Sequence, residues 1–188
     1  MNTFNTDGGL GIEGVVETKI HDVAELKQSY PDWDTLTREE KIEATRRVEP
    51  TDDDLSYNIT TDGMHEYFVD NLNPANTDPE ANVSASHLAL GTDGASGTAE
   101  TDTDLNNRVF SLEVTSHGDT GDELLCSTFL GSSEANGNTL DELGLFTDDP
   151  ANLANDDVFM LNHADFAGVT KDNSKTITFD VTLQFSDV

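Results

Sequence analysis

A chain of 188 residues with 38 acidic and 9 basic side chains carries a formal net charge of −29. That length suits one domain with a core of its own, and no basic stripe is present to draw counterions off nucleic acid or to meet an anionic membrane. The lone cysteine, Cys126, excludes an intramolecular disulfide and a cysteine-based zinc cluster, and no apolar run reaches the roughly eighteen residues of a membrane helix.

Self-repulsion on this scale opposes a compact state in dilute buffer. At molar salt the Debye length falls to about 3 Å and most of the repulsion is screened. The carboxylates are spread along the whole chain, Asp outnumbers Glu, and Lys is scarce. This is the composition expected of a protein from an extreme halophile, or from a virus that infects one.

Residues 1–11 read as an N-terminal arm, polar and Gly-bearing at its start, without a charged-then-apolar leader. Gly9, Gly11 and Gly14 match G-x-G-x-x-G, but Val15-Val16-Glu17-Thr18-Lys19-Ile20 follows, and a dinucleotide site needs a helix there. Ile12, Val16, Thr18 and Ile20 share one parity and predict a first strand. Residues 22–50 read as a helical insertion. Asp22 caps a short helix, Pro31-Asp32-Trp33 interrupts it, and Thr37 with Glu40 forms a capping box for a second helix that Pro50 ends. Five of the nine basic residues lie between Lys27 and Arg47, so the insertion is either a solvated helix with i,i+4 pairs or a docking surface for an acidic neighbour.

Asp52-Asp53-Asp54 lacks the ligand spacing of a Ca²⁺ loop and reads as a solvated loop. Met64, Phe68 and Leu72, spaced i, i+4, i+8, predict an amphipathic helix over 61–72 that packs on the sheet. A polar loop spans Asn73 to Asn82, a short strand runs from Ala85 to Leu90, and Ala95 to Asn107 wraps the surface. Asn58-Ile59-Thr60 and Asn82-Val83-Ser84 are glycosylation sequons. A strand at Arg108–Ser116, a turn at His117–Gly121 and a return strand through Leu124–Leu130 read as a hairpin. Val158–Leu161 is a short apolar strand, and Ile177 to Phe185 alternates strictly.

The chain is organised around the stretch Ala135–Phe146. Asn136-Gly137 is a turn dipeptide, since both residues tolerate φ > 0. The strand after it is expected to be central, with Leu143 and Leu145 on one face and Glu142, Gly144 and Phe146 on the other. Gly144 leaves room for a neighbouring backbone or a large side chain. Glu142 is expected to accept hydrogen bonds from backbone N–H groups under the sheet; as a catalytic acid it has no visible partner. About six strands at turn-punctuated spacing predict a mainly β protein, an antiparallel β-sandwich forming a single unit over 12–188. The five histidines, His21, His65, His87, His117 and His163, fall in different elements without ligand spacing, and Ser132-Ser133 is not a nucleophile elbow. No catalytic, cofactor or metal residue is expected.

The order of short motifs is distinctive. It runs from Asn58, Thr61, Asp62 and Gly63 to Ala89-Leu90-Gly91-Thr92, then Leu105, Asn107 and Val109. Asn136-Gly137, Thr139, Glu142, Gly144-Leu145-Phe146 and the Lys175–Phe185 strand complete it. This order resembles a family of small structural proteins of tailed-phage tails and baseplates, often described as minor tail or tail-fibre proteins. The resemblance covers residues 12–20 and 55–188; family members have only a short turn at 22–50. With the acidic surface, it implies a virion protein of a halophilic archaeal tailed virus, without catalytic residues, in the tail tip, baseplate or fibre base. Its implied partners are further copies of itself and other virion proteins, not nucleic acid or membrane. A capsid turret or decoration protein is the alternative placement. A receptor- or host-glycan-binding module displaying the Asp93–Asn107 and Gly118–Gly121 loops is another reading, and an enzyme is the poorest.

Overall fold

The computed structural model describes residues 10–64, 84–153 and 158–187. Among these residues nine strands follow one another: β1 (Leu10–Asp22), β2 (Asp52–Thr60), β3 (His87–Gly91), β4 (Arg108–Glu113), β5 (Ser116–Asp119), β6 (Glu123–Leu130), β7 (Thr139–Phe146), β8 (Met160–Thr170) and β9 (Lys175–Asp187). They form one curled antiparallel sheet, a half-barrel, in the order β4-β3-β7-β8-β2-β1-β9-β6-β5. The two edge strands, β4 and β5, are separated in the chain only by Val114 and Thr115. Val114 N–H donates to Ser86 O at 2.7 Å on one side of the sheet, and Thr115 N–H to Ser127 O at 2.9 Å on the other. The curl therefore brings its two edges together at this link.

The expected separation into two stacked sheets is not what the hydrogen bonds describe. β2 pairs with β1 along Asp52–Asn58 and then with β8 through Ile59 and Thr60, so the two halves are continuous. Period-two alternation fills the inside of the curl. Val16 and Ile20 of β1, Cys126 and Leu130 of β6, and Ile177, Phe179, Val181 and Leu183 of β9 meet Leu88, Leu90, Leu143, Leu145 and Phe166 from the other half. Phe166 meets Phe179 edge-on, ring centroids 5.9 Å apart. Cys126 is sealed in this core, and burial pushes its thiol up to about 12.

The helical insertion covers the outer face of β6. Asp22 caps α1 (Val23–Ser29) by accepting from Ala24 N–H, and Thr37 and Glu40 close a capping box at the start of α2 (Arg38–Thr45). Leu26, Trp33, Ile42 and Ala44 pack on Phe129, whose ring lies 5.9 Å from Trp33, edge to face. The apolar side of the insertion is thus spent on its own sheet. Of the expected helix over 61–72, Asp62–Met64 is helical and Met64 is buried in the core; residues 65–72 and the whole 73–82 loop lie outside the described residues.

Three segments differ from their sequence reading. Asp52-Asp53-Asp54 is not a loop but the start of β2, where Asp54 accepts from Ser56 Oγ at 2.8 Å and Ala167 N–H at 2.9 Å. His117-Gly118-Asp119 is not a turn but part of β5, so β6 pairs with β5 rather than returning along β4. Of the apolar run at Val158–Leu161, Met160 and Leu161 open β8, which continues to Thr170, while Val158 and Phe159 precede it.

His21 sits between the insertion and the sheet, 1 % exposed, with Nε2 3.2 Å from Val48 O and Nδ1 enclosed without a partner. Burial holds its pKa below the ordinary histidine value, against the pull of the Val48 and Thr45 carbonyls. Below about pH 6.5 the unfolded chain takes up a proton that the folded ring refuses, so this site loses stability as pH falls. Chemical denaturation at about pH 8 and about pH 5.5 will show a smaller acid loss in His21→Gln, which keeps an N–H for Val48 O, than in the parent chain. Equal losses would contradict the assignment.

Candidate functional site

β7 is third from the β4 edge rather than central, yet every residue from Glu142 to Phe146 is buried. Leu143 and Leu145 face the main core. Gly144 and Phe146 face the other way, where Phe146 joins Ala89, Leu105, Val158 and Met160 in a separate apolar cluster. Gly144 is required by that packing: a Cβ there would lie 2.9 Å from Phe146 Cε2, 3.0 Å from Met160 Sδ and 3.1 Å from Leu105 Cδ2.

Glu142 lies on the same outer face under the loop that joins β3 to β4. Its Oε1 accepts from Asn107 N–H at 2.8 Å and Asp93 N–H at 3.2 Å, and its Oε2 from Asn106 N–H at 2.9 Å. The carboxylate fits only because residue 91 is glycine; a Cβ at Gly91 would sit 2.2 Å from Glu142 Oε1. Neighbouring bonds close the loop on the strand. Gly94 N–H donates to Asp141 Oδ1 at 3.0 Å, Asn106 Nδ2 to Gly97 O at 3.0 Å, and Asn107 Nδ2 to Thr92 Oγ1 at 2.7 Å.

The sequence left Glu142 without a side-chain partner; the structure supplies His163. This residue stands opposite Gly144 in the β7–β8 register. Its Nε2 is 3.2 Å from Glu142 Oε2 and its Nδ1 is 2.8 Å from Asp102 Oδ2, with both the His163 and Glu142 side chains 0 % exposed. Both nitrogens donate at once only when the ring carries two protons. Asp165 lies close by, with Oδ1 buried and unbonded. Burial raises its pKa above the usual carboxylate range, the charges of Glu142, Asp141 and Asp102 add to this, and His163 opposes it. Only the β7–β8 register would have revealed this cluster, and sequence periodicity does not give it.

An imidazole between two carboxylates can serve hydrolysis with a side-chain nucleophile or with an activated water. Among the described residues the hydrogen-bond partners of Glu142 and His163 are backbone amides, a carboxylate and each other; none is a hydroxyl or a thiol. Also among the described residues, no group of three or more His, Cys, Asp or Glu is arranged to hold a metal ion. The arrangement ties a loop to a strand.

Asn136 and Gly137 form a second, separate turn. The positive φ values fall on Ala135 (53°) and Gly137 (89°), not on Asn136. Asn136 Nδ2 donates to Ser132 O at 2.9 Å, and its Oδ1 accepts from Lys171 Nζ at 3.0 Å. Lys171 is 1 % exposed and also donates to Asp172 O at 2.8 Å and Ser132 O at 3.3 Å; burial lowers its pKa. This buried cation was not legible in the sequence.

Of the other sites read from the sequence, Trp33 is buried beneath the insertion, and His87 and His117 bond to Ser86 Oγ and Ala85 O. His65 and Asn82 lie outside the described residues. The Asn58 amide is enclosed against Gly14 with neither polar atom bonded, which closes this sequon to a glycan in the folded chain. Among the described residues no helix is long and apolar enough to cross a membrane. No family model, no curated protein and no solved structure matches this chain.

Glu142→Gln keeps the size of the side chain but loses the charge and puts an NH₂ where an N–H must be accepted. It will destabilise the fold by about 3 kcal/mol, since at least one buried donor loses its acceptor. Chemical denaturation checks this; a change within about 0.5 kcal/mol, ordinary for a surface substitution, would contradict it.

Proposed function

We propose that the chain is a non-enzymatic structural protein of the virion of a halophilic tailed virus. It works in the tail tip, baseplate or fibre base, held by contacts with further copies and with neighbouring virion proteins. One observation carries this reading. Glu142, the acid at the heart of the motif order resembling the tail-protein family, is sealed from solvent and occupied by three backbone N–H groups and a histidine. A group spent in this way builds a scaffold.

Other features favour the same reading. The two arms of the curled sheet face each other across the core as the layers of a sandwich do, and their acidic outer coat suits assembly in brine, where long-range repulsion is screened. The single tryptophan, Trp33, lies outside the loops of the sugar-binding reading and is 3 % exposed, which counts against sugar stacking.

The test is peptide mass spectrometry on virions purified in molar salt, with gold-labelled antibody to locate the chain. The expected result is stoichiometric presence with label on the tail. Label on the head vertices would give the place to a capsid turret or decoration protein instead, and absence from the particles would overturn the proposal.

A further inference from the structure

The meeting point of the two sheet edges is incomplete, and the way it is left open points to a partner. Bonded and non-bonded pairs alternate along an antiparallel ladder. Val114 N–H bonds to Ser86 O, and Leu112 and Phe110 follow in the same phase opposite Leu88 and Leu90 of β3. Ser111 and Glu113 therefore turn their backbone groups toward the free edge of β4. Thr115, next in that phase, finds Ser127 O on β6. Ser111 and Glu113 find nothing: β4 ends the sheet, and among the described residues no group bonds to their backbone on that side.

Arg38 explains why the seam stops zipping. Two residues beyond Ser127, the carbonyl of Phe129 is already taken by Arg38 Nη1 at 2.7 Å. Glu134 holds the other arm of that guanidinium and is itself fixed by Gly131 N–H at 2.7 Å. The result is a groove of 410 Å³ between β4 and the start of α2. Its floor is Phe110, Leu112 and Val114, which pack against the main core; Leu112 is buried and Phe110 and Val114 are partly buried. Arg38 is answered by Glu134, while Glu39 and Glu113 are exposed and face no cation among the described residues.

An open strand edge, an apolar floor at every second residue and an anionic rim specify an occupant. We propose that this slot takes an extended segment of another protein, antiparallel to β4. Its backbone pairs with Ser111 and Glu113, its apolar side chains sit on Phe110, Leu112 and Val114 at alternate positions, and its Lys or Arg residues face Glu39 and Glu113. A second copy pairing through its own β4 edge is a poor occupant, because it offers Glu39 and Glu113 further carboxylates rather than cations. The inference rests on the assembly reading given above and names the kind of neighbour that reading requires.

The probe is a capped peptide alternating Val and Lys, titrated into the isotope-labelled full chain at the lowest potassium chloride concentration that keeps it folded. The Ser111 and Glu113 amides will shift and become protected from exchange. N-methylation of the peptide at alternate residues, which removes its ladder donors, will weaken binding on the order of tenfold. Glu113→Lys, an exposed substitution, will weaken it severalfold without altering the spectrum elsewhere. Equal binding of the methylated peptide, or shifts scattered over the acidic surface, would overturn the slot in favour of general charge attraction. Concentration-dependent protection of the same two amides without peptide would overturn it in favour of a second copy. None of these outcomes depends on whether the chain is found in virions, so the slot and the virion reading fail separately.

Discussion

A carboxylate with no exposed surface organises the outer half of this protein. An ionised side chain taken out of water is costly unless hydrogen bonds replace its hydration. Glu142 gains that replacement from Asp93, Asn106 and Asn107, which need an acceptor as much as it needs donors. The loop between β3 and β4 satisfies part of its own backbone through a 3-10 turn at Gly94–Ser96 and the Thr92–Asn107 and Ala99–Asp102 bonds, but the amides of Asp93, Asn106 and Asn107 turn to Glu142. Strand and loop therefore solve each other's problem. Two glycines follow from this: Gly91 makes way for the carboxylate, and Gly144 for the ring of Phe146 and the tip of Leu105. The spacing of glycine and glutamate in this region is thus the trace of one buried anion and the cover above it.

Several of the nine basic residues tie elements of the fold together. Arg46 joins the insertion to Asp180 and Ser127 on the sheet, Lys19 reaches the same carboxylate along β1, and Arg108 holds Asp104 in the cover loop. Solvent-accessible ion pairs contribute about 0–1 kcal/mol each and less in brine, and these are only partly buried. Burying a side chain the size of Trp33 or Phe129 is worth several times more. The insertion is held by its apolar face, and the ties fix its position. Of the nine Lys and Arg residues only Lys171 is buried; the others stay at least partly exposed.

Much of the fold was legible because it is written in periods. The alternation in β9 and β1 and the parity of Leu143 and Leu145 against Glu142, Gly144 and Phe146 come from a side-chain repeat of two. The capping box at Thr37 and Glu40 comes from hydrogen-bond geometry local to four residues. β2 was hidden because its polarity is reversed: Leu55 and Tyr57 point to solvent, 58 % and 77 % exposed, while Ser56 and Asn58 turn inward behind a run of aspartates. β5 was hidden because His-Gly-Asp reads as a turn wherever no partner strand is known. The nine-stranded curl was missed for a related reason. Pairing of β2 to both β1 and β8 is a long-range fact that no local pattern encodes. The same limit applies to the candidate site. That Glu142 needs donors follows from its parity, but His163, Asp102 and Lys171 reach their places through strand register and turn geometry.

Glu142 holds its cover loop in the folded chain, and amide hydrogen exchange reads that bond directly. Asn106 and Asn107 are exposed residues outside the sheet ladder. If the carboxylate is their acceptor, their amides and that of Asp93 will exchange as slowly as the interior of β7, opening only with global unfolding. Exchange at the rate of an unprotected loop, with β7 still protected, would contradict it.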